Sequence, residues 1–143
     1  MTTRDDEMWV SVIRLHARVE HDLAAALQRH GLGLSEYRAL CHLSTTENGE
    51  LRMQELAELL GLNQSSVTRL VARLEKAGLT RRDLCADDRR GVYTVITDEG
   101  RARKAGASDT YEQTLTATLD RTAGELGLEA ALEELRRSVD MAN

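Results

Sequence analysis

The chain has no phenylalanine and no proline, and only 3% of its 143 residues are aromatic. A core must therefore come from Leu, Val, Ile and Ala. Helices have no obligatory breaker and must be ended by glycine and polar turns. Apolar runs extend only a few residues, far short of the roughly 20 that span a bilayer, so no membrane role is expected. The acidic start, Met1 to Glu7, leads into an amphipathic stretch and is unlike a secretory signal. A cytoplasmic location is the expectation. Cys41 and Cys85 are the only cysteines. They make neither a disulfide framework nor a zinc spacing, and buried or half-buried free thiols are the simplest reading. The histidines are scattered, with His16 and His21 five apart rather than four, so no metal site is expected. Nothing resembles a nucleophile–base pair, a phosphate-binding glycine loop or a framed carboxylate pair, which argues against an enzyme and against a cofactor.

An excess of positive charge is also lacking. The net charge is −5, yet the segment from Gln64 to Lys104 carries ten basic and six acidic residues, +4 against −9 for the remainder. A basic middle between acidic ends suits a nucleic-acid face on a body that repels phosphate elsewhere.

Hydrophobic periodicity predicts the elements. Trp9, Val12, Ile13, His16, Val19, Leu23 and Leu27 form a helical stripe between Met8 and His30, ended by Gly31 and Gly33. Ser35 is the expected cap of a second helix, with Tyr37, Leu40, Cys41 and Ser44 on one face. A short third helix runs from about Arg52 to Leu60. Gly61 and the cap Asn63 then lead into a fourth, the layout of a helix-turn-helix. Beyond Gly78 the period changes. Leu79 to Leu84 and Val92 to Thr97 read as two short strands joined by the charged segment Cys85 to Gly91. Thr97 caps a long helix, Gly124 and Gly127 mark a break or kink, and Leu128, Leu132, Leu135 and Val139 line a last amphipathic helix. The expected fold is mainly α with a small β-hairpin wing.

At 100° per residue, Val67, Leu70, Val71 and Leu74 of the fourth helix share a narrow arc that must face the core. Ser65, Arg69, Ala72 and Lys76 lie opposite, with Thr68 and Arg73 on the flanks. Short hydroxyls, guanidinium forks and one small residue are the chemistry that reads a major groove. Asn63, Gln64, Ser65 and Ser66 add backbone N–H donors for phosphate. Such a face also fits a helix that is merely solvated. The preceding short helix, the Gly turn and the following basic hairpin favour DNA. In that hairpin, Arg89 and Arg90 suit a narrow minor groove, with Asp88 able to hold one of them.

The run Met53-Gln-Glu-Leu-Ala-Glu-Leu-Leu-Gly-Leu-Asn-Gln-Ser-Ser-Val-Thr-Arg-Leu-Val-Ala-Arg-Leu-Glu-Lys-Ala-Gly-Leu79 resembles the helix-turn-helix of the MarR family of regulators. Asp87-Asp-Arg-Arg-Gly-Val-Tyr-Thr-Val-Ile-Thr-Asp-Glu-Gly100 is similar to that family's wing and next helix, and Leu34-Ser-Glu-Tyr-Arg-Ala-Leu40 to its second helix. The resemblance implies one domain over 1–143, with a winged helix-turn-helix lobe at 34–100 and dimerisation helices at 8–33 and 101–143. It implies a homodimer on a palindromic double-stranded operator, commonly a repressor relieved by a small phenolic inducer or by oxidation. Carried over by position, DNA contacts fall on Ser65, Ser66, Thr68, Arg69, Arg73 and Arg90, and an inducer pocket would involve His16, Tyr37, Arg38 and Cys41. Ordinary packing explains those four equally well. A thiol switch at Cys41 or Cys85 is disfavoured, because the family's peroxide sensors use a thiol near the chain start and none precedes Cys41. A winged helix serving only protein contacts is the remaining alternative.

Overall fold

A computed structural model describes residues 1–84 and 92–143. The element order is α1 (Arg4–Gln28), α2 (Leu34–Ser44), β1 (Glu50–Arg52), α3 (Met53–Leu60), α4 (Gln64–Lys76), β2 (Thr80–Leu84), β3 (Val92–Ile96), α5 (Asp98–Leu126) and α6 (Glu129–Ala142). The chain divides into two compact units, one of Met1–Ala26 with Thr110–Asn143, the other Leu27–Asp109.

In the Leu27–Asp109 unit the core is aliphatic, as the missing phenylalanine requires. Leu40, Leu43, Leu56, Leu70, Leu74 and Leu79 are withdrawn from solvent. The predicted cap Ser35 is not the cap. Gly33 takes that position in extended backbone, and its carbonyl accepts the first helical hydrogen bond from Tyr37 N–H at 3.0 Å. The buried face of α2 is Tyr37, Ala39, Leu40 and Leu43, so Cys41 and Ser44 lie at its margin.

A strand absent from the sequence-based expectation, β1, completes an antiparallel sheet in the order β1-β3-β2. Glu50, Leu51 and Arg52 pair with Val95, Thr94 and Tyr93, while Thr80 to Leu84 pair with Ile96 to Val92. This explains why β3 does not alternate cleanly. It is the central strand, and Thr94, Val95 and Ile96 are all buried. The sheet passes directly into α5. Thr97 caps that helix, its Oγ1 accepting from Gly100 N–H at 3.0 Å while donating to the Gly78 carbonyl at 2.7 Å. Gly100 itself sits so near the Leu79 carbonyl that a methyl group there would collide with backbone.

In the other unit, α1 begins at Arg4 rather than Met8. Thr3 and Asp6 exchange side-chain-to-backbone bonds of 3.1 and 3.2 Å that start it early. Only the C-terminal part of the predicted stripe is buried, with Val19 and Leu23 in this unit. Trp9, Val12 and Ile13 are 58%, 37% and 49% exposed. Gly124 does not break α5, which runs on to Leu126; the break falls at Gly127. No residue of α6 is buried, and Leu135 and Val139 stand out at 64% and 61% exposed. Polar bonds also join the helices. Asp22 of α1 accepts from Thr118 Oγ1 at 2.9 Å and Arg121 Nη2 at 2.8 Å, both on α5. Arg136 of α6 reaches Asp120 of α5 at 2.9 Å.

Hydrogen bonding from His21 and Thr118, aided by the Arg121 charge, holds the Asp22 carboxyl below its ordinary value of 3.8. A depressed carboxylate stabilises the fold while ionised. Wild-type protein should therefore exceed Asp22→Asn in thermal stability above about pH 4, and the gap should close as pH falls through the depressed value; a gap independent of pH would contradict this. Gly100→Ala should destabilise by roughly 1–3 kcal/mol through backbone overcrowding. Gly106→Ala, at a helical site where added atoms meet nothing within 4 Å, should instead stabilise by about 1 kcal/mol. Chemical denaturation of the two variants checks both signs.

Candidate nucleic-acid interface

The interface is built outward from a turn. α3 buries Leu56 and Ala57 and ends at Gly61, whose φ of 66° lies in the left-handed region that side chains avoid. Gly61 N–H donates to the Glu58 carbonyl at 3.2 Å and Leu62 N–H to that of Ala57 at 3.0 Å, satisfying the carbonyls at the helix end. The chain can then restart at once. Asn63, in extended backbone, accepts at Oδ1 from Ser66 N–H at 2.9 Å and from the Ser65 hydroxyl at 2.9 Å.

α4 places its two faces as the angular reading requires. Val67, Leu70, Val71 and Leu74 are at most 1% exposed, each burial contributing about 1.5–3 kcal/mol. Gln64, Ser65, Thr68, Arg69, Ala72, Arg73 and Lys76 are exposed, and Ser66 is half-buried. All of the sites assigned to α4, together with its cap Asn63, are thus brought onto one element.

The hydroxyls are already oriented. Ser65 donates to Asn63, and Thr68 Oγ1 donates to the Gln64 carbonyl at 2.8 Å. With their protons engaged, both present lone pairs outward, which suits them to accept from base amino groups or ordered water. Arg73 Nε lies 3.8 Å from Glu36 Oε1 on α2. At the other end of α4, Glu75 accepts from Arg82 Nε of β2 at 2.7 Å, tying the hairpin to the helix. Arg52 Nε donates to the Tyr93 hydroxyl at 3.0 Å, and these two residues are direct partners in the β1–β3 register. Glu55 secures the start of α3 by accepting from Arg52 N–H at 3.2 Å.

No site role for Glu36, Arg52, Glu75, Arg82 or Tyr93 follows from sequence. Their pairings join different elements, and no periodicity reports them. The expected wing residues Arg89 and Arg90, with Asp88 and Cys85, lie outside the described residues.

The expected pocket residues are distributed between the units. Tyr37 is buried, with its hydroxyl 3.5 Å from Ser108 Oγ, while Arg38 and Cys41 are half-buried on the same helix. His16 belongs to the other unit, where its ring is exposed and 3.5 Å from Glu20. Among the described residues no group of three or more His, Cys, Asp or Glu is placed to hold a metal ion, and no helix is long and apolar enough to cross a membrane.

Two helices joined by a left-handed glycine turn, followed by an antiparallel hairpin pinned to the second helix, define a winged helix-turn-helix. The model of the MarR family matches residues 32–92. Sco3205, a MarR family transcriptional regulator from Streptomyces coelicolor solved in complex with DNA, is 30% identical. Its TM-score is 0.80, over 99% of this chain and 93% of that one. AbsC, another MarR family regulator from Streptomyces coelicolor, gives a TM-score of 0.78 at 26% identity, over 95% and 97% of the two chains. The transcriptional regulator PrsX of Escherichia coli is 31% identical over 88 residues, 62% of this chain and 53% of its own. The chain thus spans about half the length of the first curated relatives it matches. The chain belongs to the MarR family.

Asn63→Ala removes the acceptor that serves both Ser65 and Ser66, and should cost about 1 kcal/mol of stability. A melting temperature unchanged in Asn63→Ala would show that the turn geometry alone starts α4.

Proposed function

We propose that the protein is a transcriptional regulator that binds duplex DNA in sequence-specific fashion, as a homodimer on a palindromic operator. One observation carries the reading. α4 is anchored by four aliphatic side chains at one face and presents Ser65, Thr68, Arg69 and Arg73 to solvent at the other. Arg69 is the residue we assign to base reading, through a guanidinium fork that matches guanine O6 and N7. The N-terminal turn of α4, Asn63 to Ser66, is assigned to phosphate. Arg89 and Arg90 are assigned to the minor groove on the strength of sequence alone.

The reading lobe is 34–100, and 8–33 with 101–143 serve dimerisation. Support comes from the apolar side chains that the single chain leaves uncovered, Trp9, Val12, Ile13, Leu135 and Val139. Exposed apolar surface on two terminal helices is what a self-association face requires. The same reading assigns the protein to the cytoplasm, the compartment that holds bacterial DNA. Repression with release by a small phenolic inducer belongs to the same proposal; the buried Tyr37 hydroxyl beside Ser108 supports α2 as the part that senses.

Selection of bound duplexes from a random pool tests the whole reading. Inverted half-sites about one helical turn apart are expected. On the selected duplex, Arg69→Ala should weaken binding by about 1–3 kcal/mol and relax preference at one base position. Recovery of no enriched sequence, or an Arg69→Ala variant with unaltered affinity and preference, would overturn it.

A further inference from the structure

We infer that Glu36 of α2 is a positioning residue for DNA recognition, aiming the Arg73 guanidinium and thereby setting discrimination between sequences rather than overall affinity. The inference rests on the proposed DNA-binding role and adds to it a residue outside the helix-turn-helix. Its basis is the pairing of Glu36 Oε1 with Arg73 Nε at 3.8 Å, between side chains that are 19% and 58% exposed. The carboxylate is the withdrawn partner, and the guanidinium is the outward one. At 3.8 Å the contact is an ion pair rather than a hydrogen bond, and the carboxylate approaches the guanidinium from the Nε side, on the flank of α4.

The surroundings of Glu36 support this placement. Its carboxylate lies against residue 33, where a Cβ would come within 2.9 Å of Oε1, so glycine at 33 leaves room for it. A long arginine on an exposed helix face ordinarily samples many rotamers, and fixing it lowers the entropy lost on forming a directed contact. A half-buried acid behind the guanidinium also lowers the local positive potential, which weakens contacts that depend only on phosphate. Aiming strengthens the right contact and charge compensation weakens the wrong ones. Both effects raise the specificity ratio.

The test measures binding of wild-type, Glu36→Gln, Arg73→Ala and the double variant to a selected duplex and to a scrambled duplex, across a salt series. Glu36→Gln should reduce the ratio of the two affinities by at least about fivefold. It should do so by weakening the selected duplex while the scrambled one is held equally or more tightly. In the Arg73→Ala background the same change should leave the ratio unaltered, and Glu36→Gln should keep the wild-type melting temperature. Equal tightening of both duplexes would make Glu36 a simple repulsive charge and overturn the inference. Equal weakening with a lowered melting temperature would make it structural, and an undiminished effect in the Arg73→Ala background would place its action elsewhere; each overturns it. Wild-type protein that binds no duplex overturns the DNA-binding role and this inference with it, whereas wild-type binding without the Glu36–Arg73 coupling overturns this inference alone.

Discussion

The burial of Val67, Leu70, Val71 and Leu74 against the leucines of the neighbouring elements is the constraint on which the interface depends. Four side chains in one arc leave α4 a single rotational setting, because turning it by one residue would expose aliphatic surface and bury arginine. The polar face has no independent means of pointing outward. It does so because the opposite face has nowhere else to go.

That setting is useful only if the start of α4 is fixed along its axis as well. Gly61 and Asn63 supply this within three residues, the first by closing one helix in left-handed backbone and the second by opening the next. The pairs Arg82–Glu75 and Arg52–Tyr93 extend the same frame into the sheet, so helix, hairpin and α3 are held in mutual register by contacts made at their ends. The exposed ion pairs add little stability individually. Their effect is on direction.

The helix-turn-helix was legible in sequence because its signals are local: an apolar arc at helical spacing, a glycine, an asparagine two residues on. Thr97 as the cap of α5 was legible for the same reason. β1 was not, since three residues running straight into a helix carry no period, and Glu50–Arg52 is a strand only because β3 offers it an edge. Ser35 has the residue type of a cap, but the backbone turns two residues earlier, at Gly33. The stripe through Trp9, Val12 and Ile13 is plainly apolar in sequence, yet periodicity does not say whether such a face meets its own core or another surface. Pairings such as Glu36 with Arg73 link residues far apart in the chain and needed the fold to be found.

One of the two outer strands of the sheet, β2, governs how the molecule behaves when crowded. Among the described residues β2 pairs with a strand along one side only, with β3, and four of its five residues are exposed. An open backbone of this kind invites a foreign strand to add on and seed aggregation. Arg81, Arg82 and Asp83 follow one another along it, so an incoming strand would have to strip water from three successive charges. Charge along this edge thus disfavours the addition of a foreign strand to β2.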